Sequence, residues 1–133
     1  FDAKFAALCP AGIDVYFDNV GGAITDAAIR HLSPGARICL CGQISQYNLE
    51  VPESGPRWLE QLIVTQAKVQ GFLVSAYLER FPEGWAQLTQ WLHAGNLKYR
   101  EDVAHGIEAA PQAFIGMLQG KNEGKQLVQL SEL

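Results

Sequence analysis

Three features of this 133-residue sequence predict an α/β fold built on a doubly wound parallel sheet. Segments with strand and helix character alternate through residues 1–95, an order that requires right-handed crossovers with helices over a sheet. The strand-like runs, such as "ARICLCG", are apolar on both faces, as strands covered by helices must be. Polar or glycine-containing stretches follow the strand ends: Asp18-Asn19, Gly42 to Tyr47, and Phe72 to Ser75. In open parallel sheets ligands bind at that carboxyl edge.

The elements follow in order. "FDAKFAALC" places Phe1, Phe5 and Leu8 at helical spacing, and Pro10-Ala11-Gly12 breaks the helix. "IDVYFDN", β-branched and aromatic, reads as a short strand. "GGAITDAAIRHL" is a helix with Ile24, Ala28 and Leu32 on one face, ended by Ser33-Pro34-Gly35. "ARICLCG" is the second strand. Residues 43–56 form a long polar loop with Pro52, Gly55 and Pro56, a length often associated with function. Residues 57–67 form a helix with Leu59, Leu62 and Ile63 inward and Pro56 at its start. "KVQGFLV" (68–74) is the third strand. Residues 79–95 form a helix with Phe81, Trp85, Leu88 and Leu92 on one stripe, Pro82 in the first turn and Gly95 as its cap. The tail changes character near residue 96. A strand over 97–103, a helix over 110–120 with Ala113, Phe114, Met117 and Leu118 inward, and a polar turn into a final strand over 121–130 complete the chain.

Composition narrows the function classes. A hydrophobic fraction of 48% and a charged fraction of 18% exclude disorder as the main state. The net charge is −4 and the few Lys and Arg are scattered, so nucleic acid is not an expected partner. No apolar run approaches the roughly 20 residues of a transmembrane helix, so no membrane is expected. The three cysteines, Cys9, Cys39 and Cys41, are an odd set without framework spacing, which suits a reducing compartment. Cys39 and Cys41 share a strand face and read as small buried residues; two ligands do not make a zinc site. His31, His93 and His105 have no neighbouring nucleophile or paired carboxylate, and read as structural or exposed. Trp58, Trp85 and Trp91 read as core or interface. The chain lacks an initiating Met and opens inside a helical segment, so a longer parent protein is expected.

"DVYFDNVGG" (14–22), "ARICLCGQISQYN" (36–48), "VQGFLV" (69–74) and "GMLQGKNEGKQLVQL" (116–130) carry a resemblance over essentially the whole chain. Together they resemble the zinc-independent medium-chain dehydrogenase/reductase superfamily, in its prostaglandin reductase and plant alkenal double-bond reductase branch. Quinone reductases are similar in the first element but lack the Ile-Ser-x-Tyr-Asn element. The resemblance implies that residues 1–95 are the second half of a Rossmann-type nucleotide-binding domain and that 96–133 return to the catalytic domain. It also implies NADP(H) as cofactor, although no G-x-G-x-x-G phosphate loop occurs here.

Site residues follow from the same resemblance, beside plainer readings. Asn19, able to donate and to accept, matches a cofactor-side asparagine; a turn asparagine before glycines is the alternative. Asp18 reads as a cap or a local backbone partner. Cys41 and Gly42 to Tyr47 match the segment around the nicotinamide ribose, with Gly42 allowing backbone approach and Ser45 donating to ribose or phosphate. Tyr47 is the expected catalytic residue, a phenol able to stabilise the oxyanion of a reduced enone, or else an aromatic anchor for its loop. Phe72, Leu73 and Val74 match a segment whose backbone meets the carboxamide, with side chains in the core. Asn122 matches a cofactor-reaching asparagine, or is a turn residue. The expected function is NADPH-dependent reduction of the C=C bond of α,β-unsaturated aldehydes or ketones by a cytoplasmic homodimer pairing through "KVQGFLV", with no metal. Quinone reduction is a second reading. A catalytically inert structural or oligomerisation fragment is a third.

Overall fold

The computed structural model describes residues 1–131; Glu132 and Leu133, the end of the expected 96–133 segment, lie outside the described residues. The chain parts into two compact units, Phe1–Leu78 and Glu79–Leu133. Compactness thus groups the helix after residue 79 with the tail, whereas the expectation from resemblance set it with the half-sheet.

The first unit contains α1 (Asp2–Leu8), β1 (Ile13–Asp18), α2 (Gly22–Ile29), β2 (Leu32–Leu40), α3 (Leu59–Thr65) and β3 (Lys68–Gly71). The three strands form one sheet in the order β1-β2-β3, and both pairings are parallel. Phe17 lies beside Cys39, and Cys39 beside Gln70. The alternation read from the sequence is therefore present, with the helices as crossovers.

The boundaries differ where local chemistry intervenes. Ser33-Pro34-Gly35, expected to lie outside a strand, falls inside β2. Pairing with β1 slips there, from Ile13 beside Leu32 to Val15 beside Arg37. Such an irregularity accommodates a proline that cannot donate to the ladder. Gly35 takes φ +77°, which a glycine adopts without strain. Ser33 is buried and its hydroxyl donates to Ala11 O at 3.2 Å. At the other end of the sheet, β3 stops at Gly71 rather than at residue 74, and a 3-10 segment, Val74–Arg80, follows.

The core of this unit joins Ile13, Ala28, Ile29, Leu32, Ala36 and Ile38, flanked by Phe5, Tyr16, Trp58 and Leu62. Ile29 and Ile38 are almost wholly buried. Of the positions expected on helix faces, Ala28 is buried and Leu62 is half-buried against the core, whereas Leu59 and Ile63 are exposed and Ile24 is only half-buried; Leu32, expected on the face of α2, is buried as the first residue of β2 instead. Cys39 is half-buried and Cys41 exposed, because Cys41 lies just past the last residue of β2.

Asp18 closes β1 and organises the turn that follows. Asp18 is 1% exposed, and its carboxylate accepts four bonds. Oδ1 takes the N–H groups of Val20 and Gly21, both at 2.9 Å, and the Tyr16 hydroxyl at 3.4 Å. Oδ2 takes the Thr25 hydroxyl at 2.6 Å, reaching into α2. Burial pushes this carboxyl up, but the donors from Thr25, Gly21, Val20 and Tyr16 outweigh it and hold it below its ordinary value.

The second unit contains α4 (Phe81–His93), β4 (Glu101–His105), α5 (Ala110–Leu118) and β5 (Lys125–Gln129). β4 and β5 pair in parallel around α5, with Val103 beside Leu127. β4 begins four residues later than the expected 97 (101 − 97 = 4). Among the described residues of this unit none is fully buried. Trp85, Leu88, Trp91 and Leu92 of α4, and Phe114, Met117 and Leu118 of α5, are exposed rather than core. No helix of the described residues is long and apolar enough to cross a membrane.

Two stability predictions follow from the first unit. Ile38→Ala, which empties a wholly buried site, lowers unfolding free energy by about 2–5 kcal/mol in urea titrations. Asp18→Ala orphans buried donors and costs about 1–3 kcal/mol by the same measurement. Because the folded carboxyl is held low, its contribution is present above the ordinary value of 3.8 and lost as pH falls through the folded value. Asp18→Asn therefore flattens the acid limb of the stability–pH curve; an unchanged limb would refute this role for the carboxylate.

Candidate functional site

The three strands of the first sheet end level. Asp18 lies beside Leu40, and Leu40 beside Gly71, so β1, β2 and β3 deliver their loops to one edge. This is the carboxyl edge that parallel sheets use for ligands.

Main-chain bonds fix the loops there. Cys41 N and Gly42 N both donate to Asp18 O, at 2.8 and 3.1 Å. Ile44 N donates to Asn19 O, and Ser45 N to Val20 O, both at 3.1 Å. The Ser45 hydroxyl adds a 2.6 Å bond to Val20 O. Phe72 N donates to Leu40 O at 3.1 Å, extending the ladder one step past β3. Farther along the long loop, the Gln46 amide donates to Glu53 Oε2 at 3.0 Å.

Tyr47 then folds back. Its hydroxyl oxygen accepts the Gln43 N–H at 2.9 Å. Among the described residues that oxygen has no acceptor of its own, so its proton is available to a ligand. An open cleft of about 610 Å³ lies beside it, lined in part by Cys41, Gly42, Tyr47, Gly71, Phe72 and Leu73. A Cβ at Gly71 would meet nothing within 4 Å, so space is kept open at the end of β3. Aromatic rings stiffen this edge: Phe72 packs edge-on against Phe17 at 5.8 Å and Tyr77 at 6.0 Å.

The structure thus gathers Cys41, Gly42, Tyr47, Phe72 and Leu73 around one cleft. Asn19 lies next to it, its carbonyl 3.4 Å from where a Cβ at Gly42 would be, and its side chain makes no hydrogen bond among the described residues. Ser45 turns its hydroxyl to Val20 O. Val74 opens the 3-10 segment, and the side chains of Leu73 and Val74 are exposed rather than in the core. Asn122 belongs to the second unit, where its amide donates to Gly124 O at 2.7 Å, the turn role. Sequence reasoning missed Gln43 and Gly71. Gln43 acts through its main-chain N–H, which no side-chain pattern announces.

Among the described residues no group of three or more His, Cys, Asp or Glu is arranged to hold a metal ion. The cleft offers hydrogen-bonding backbone, the Gln43 carboxamide and the Tyr47 phenol, groups that suit an organic ligand, with Cys41 its single thiol.

A family profile described as zinc-binding dehydrogenase matches residues 2–128. A Bacillus subtilis protein provisionally named an NADP-dependent oxidoreductase is 51% identical over 126 residues, covering 93% of this chain and 37% of that protein. A Nicotiana tabacum NADP(+)-dependent 2-alkenal reductase is 45% identical over 122 residues, covering 92% and 35%. The crystal structure of CurA from Vibrio vulnificus in complex with NADPH superposes with a TM-score of 0.86 at 46% identity, over 100% of this chain and 41% of that one. The chain spans well under half the length of each relative. With the profile covering nearly every residue and the level-ended parallel sheet in place, the chain belongs to the zinc-binding dehydrogenase family and carries the C-terminal part of its medium-chain, Rossmann-type fold.

Proposed function

We propose that the protein carrying this chain is an NADPH-dependent reductase of α,β-unsaturated aldehydes or ketones. In this reading the first unit supplies the nicotinamide side of the cofactor site and Tyr47 supplies the oxyanion donor. The observation that carries it is the wiring of Tyr47: a phenol at a ligand-binding sheet edge, its acceptor face occupied by Gln43 N–H and its proton unspent. The similarity to a tobacco 2-alkenal reductase and to an NADPH-bound Vibrio structure supports the choice of cofactor and substrate class.

The chemistry needs two things of the site. A bound nicotinamide supplies hydride to the β-carbon of the enone. Negative charge then builds on the carbonyl oxygen, and a positioned O–H lowers the barrier by donating to it. Tyr47 is held for that donation, and accepting the Gln43 N–H polarises its O–H further. Asn19, with a free carboxamide, holds the cofactor's polar groups at the end of β1, and the backbone of Phe72 to Val74 lies beside its carboxamide. In the same reading residues 1–95 belong to the nucleotide-binding domain and 96–133 to the segment that returns to the catalytic domain. β3, at one side of the three-stranded sheet, supports a homodimer through that strand. The free thiols of Cys9, Cys39 and Cys41 support a cytoplasmic location.

The test is turnover by the full-length protein. Mixed with NADPH and a 2-alkenal, it should oxidise the cofactor and yield the saturated aldehyde. Cofactor consumption with a quinone but with no alkenal or enone would reverse the assignment. In the same assay Tyr47→Phe should lower kcat about 10²-fold while leaving KM for NADPH nearly unchanged. A wild-type kcat in that variant would remove Tyr47 from the chemistry.

A further inference from the structure

Gly42 lies two residues past the end of β2, and its φ lies outside the left-handed region. An alanine would therefore meet no backbone strain there. The obstacle to a side chain is a hydroxyl. A Cβ at Gly42 would lie 2.8 Å from Tyr47 Oη, a distance that carbon and oxygen do not tolerate without bonding. The next atoms, Asn19 O at 3.4 Å and Asn19 Cα at 3.9 Å, are in ordinary contact. The same Tyr47 oxygen accepts the Gln43 N–H. Any group on Gly42 thus competes with that bond, and the exposed phenol is what gives way, since it ends a side chain that is 67% exposed.

We propose that Gly42 is a positioning residue whose missing Cβ seats the Tyr47 hydroxyl on the Gln43 amide and so directs the phenol proton into the cleft. This rests on the proposed role of Tyr47 as the donor to the substrate's carbonyl oxygen, and it deepens that role. It differs from the simpler use of a glycine, close approach of backbone to cofactor. The two separate by coupling. A residue that acts through the Tyr47 hydroxyl has nothing to act on once that hydroxyl is gone.

The experiment compares the full-length wild type, Gly42→Ala, Tyr47→Phe and the double variant. Two properties are measured: hydrogen exchange of the Gln43 amide by NMR, and kcat and KM for NADPH with a 2-alkenal. Urea midpoints of all four should agree, because the displaced group is surface phenol. Gly42→Ala and Tyr47→Phe should each speed exchange at Gln43 by about fivefold, the loss of one hydrogen bond. Gly42→Ala should lower kcat at least about tenfold with KM for NADPH held within about twofold, and add less than about twofold to Tyr47→Phe. An unchanged Gln43 amide in Gly42→Ala overturns the seat. So does an equal loss of kcat in both backgrounds, which assigns the glycine to cofactor approach. Faster exchange in both single variants with undiminished kcat upholds the seat and instead overturns the role of Tyr47 in the reaction.

Discussion

A single buried carboxylate holds the working edge of the sheet in place. Asp18 is the last residue of β1, and its two oxygens collect donors from Val20, Gly21, Thr25 and Tyr16. A charge so buried is costly unless its hydrogen bonds are complete. Here they are, and the requirement to complete them dictates the local path. The chain must turn sharply enough to bring the N–H groups of Val20 and Gly21 back to the carboxylate, and α2 must begin where Thr25 can reach it. Gly21 and Gly22, at φ +71° and +62°, permit that turn.

The start of the loop after β2 is tied to that turn by main-chain bonds. The Asp18 carbonyl receives Cys41 and Gly42, Asn19 receives Ile44, and Val20 receives Ser45. The loop after β2 is thus laid on the loop after β1 residue by residue. A Cβ at Gly21 would lie 3.1 Å from the Gln43 side chain, so the two loops are also closely packed. The cleft inherits its shape from this stacking. Its geometry is set by backbone pairing, which tolerates changes of side chain better than a pocket shaped by packing alone.

This division explains what the sequence made legible. Strand and helix alternation, the parallel order and the functional edge could be read because hydrophobic period and turn residues report on them directly. Asp18 as a local cap and Tyr47 at the edge were also legible, one from its place between a strand and the helix that follows and the other from family resemblance. Strand ends were less so. Ser33-Pro34-Gly35 has the composition of a loop, yet Ser33 bonds Ala11 O and Gly35 takes its left-handed φ within β2. The stripes of α4 and α5 have helical period but remain exposed, since period marks which face is apolar and says nothing of what covers it. The Gln43 amide was invisible because main-chain donors leave no trace in residue type.

Two hydroxyls in the 42–47 loop show how far main-chain wiring, rather than residue type, decides chemistry. Ser45 and Tyr47 are separated by one residue, and both were candidates to donate to a ligand. The Ser45 proton goes to Val20 O at 2.6 Å, and its oxygen accepts the Gln46 amide at 3.1 Å. Its one donor is spent, and offering that proton elsewhere would break a bond that fastens the loop. Tyr47 has the opposite polarity: its oxygen accepts from Gln43, and its proton is unspent. A short, strong bond at Ser45 therefore makes it a strut, and a single accepted bond at Tyr47 makes it a donor. On the proposed reaction, charge arriving at a substrate oxygen finds one hydroxyl already committed to the protein and the other held by its acceptor side, with the donor side turned to the charge.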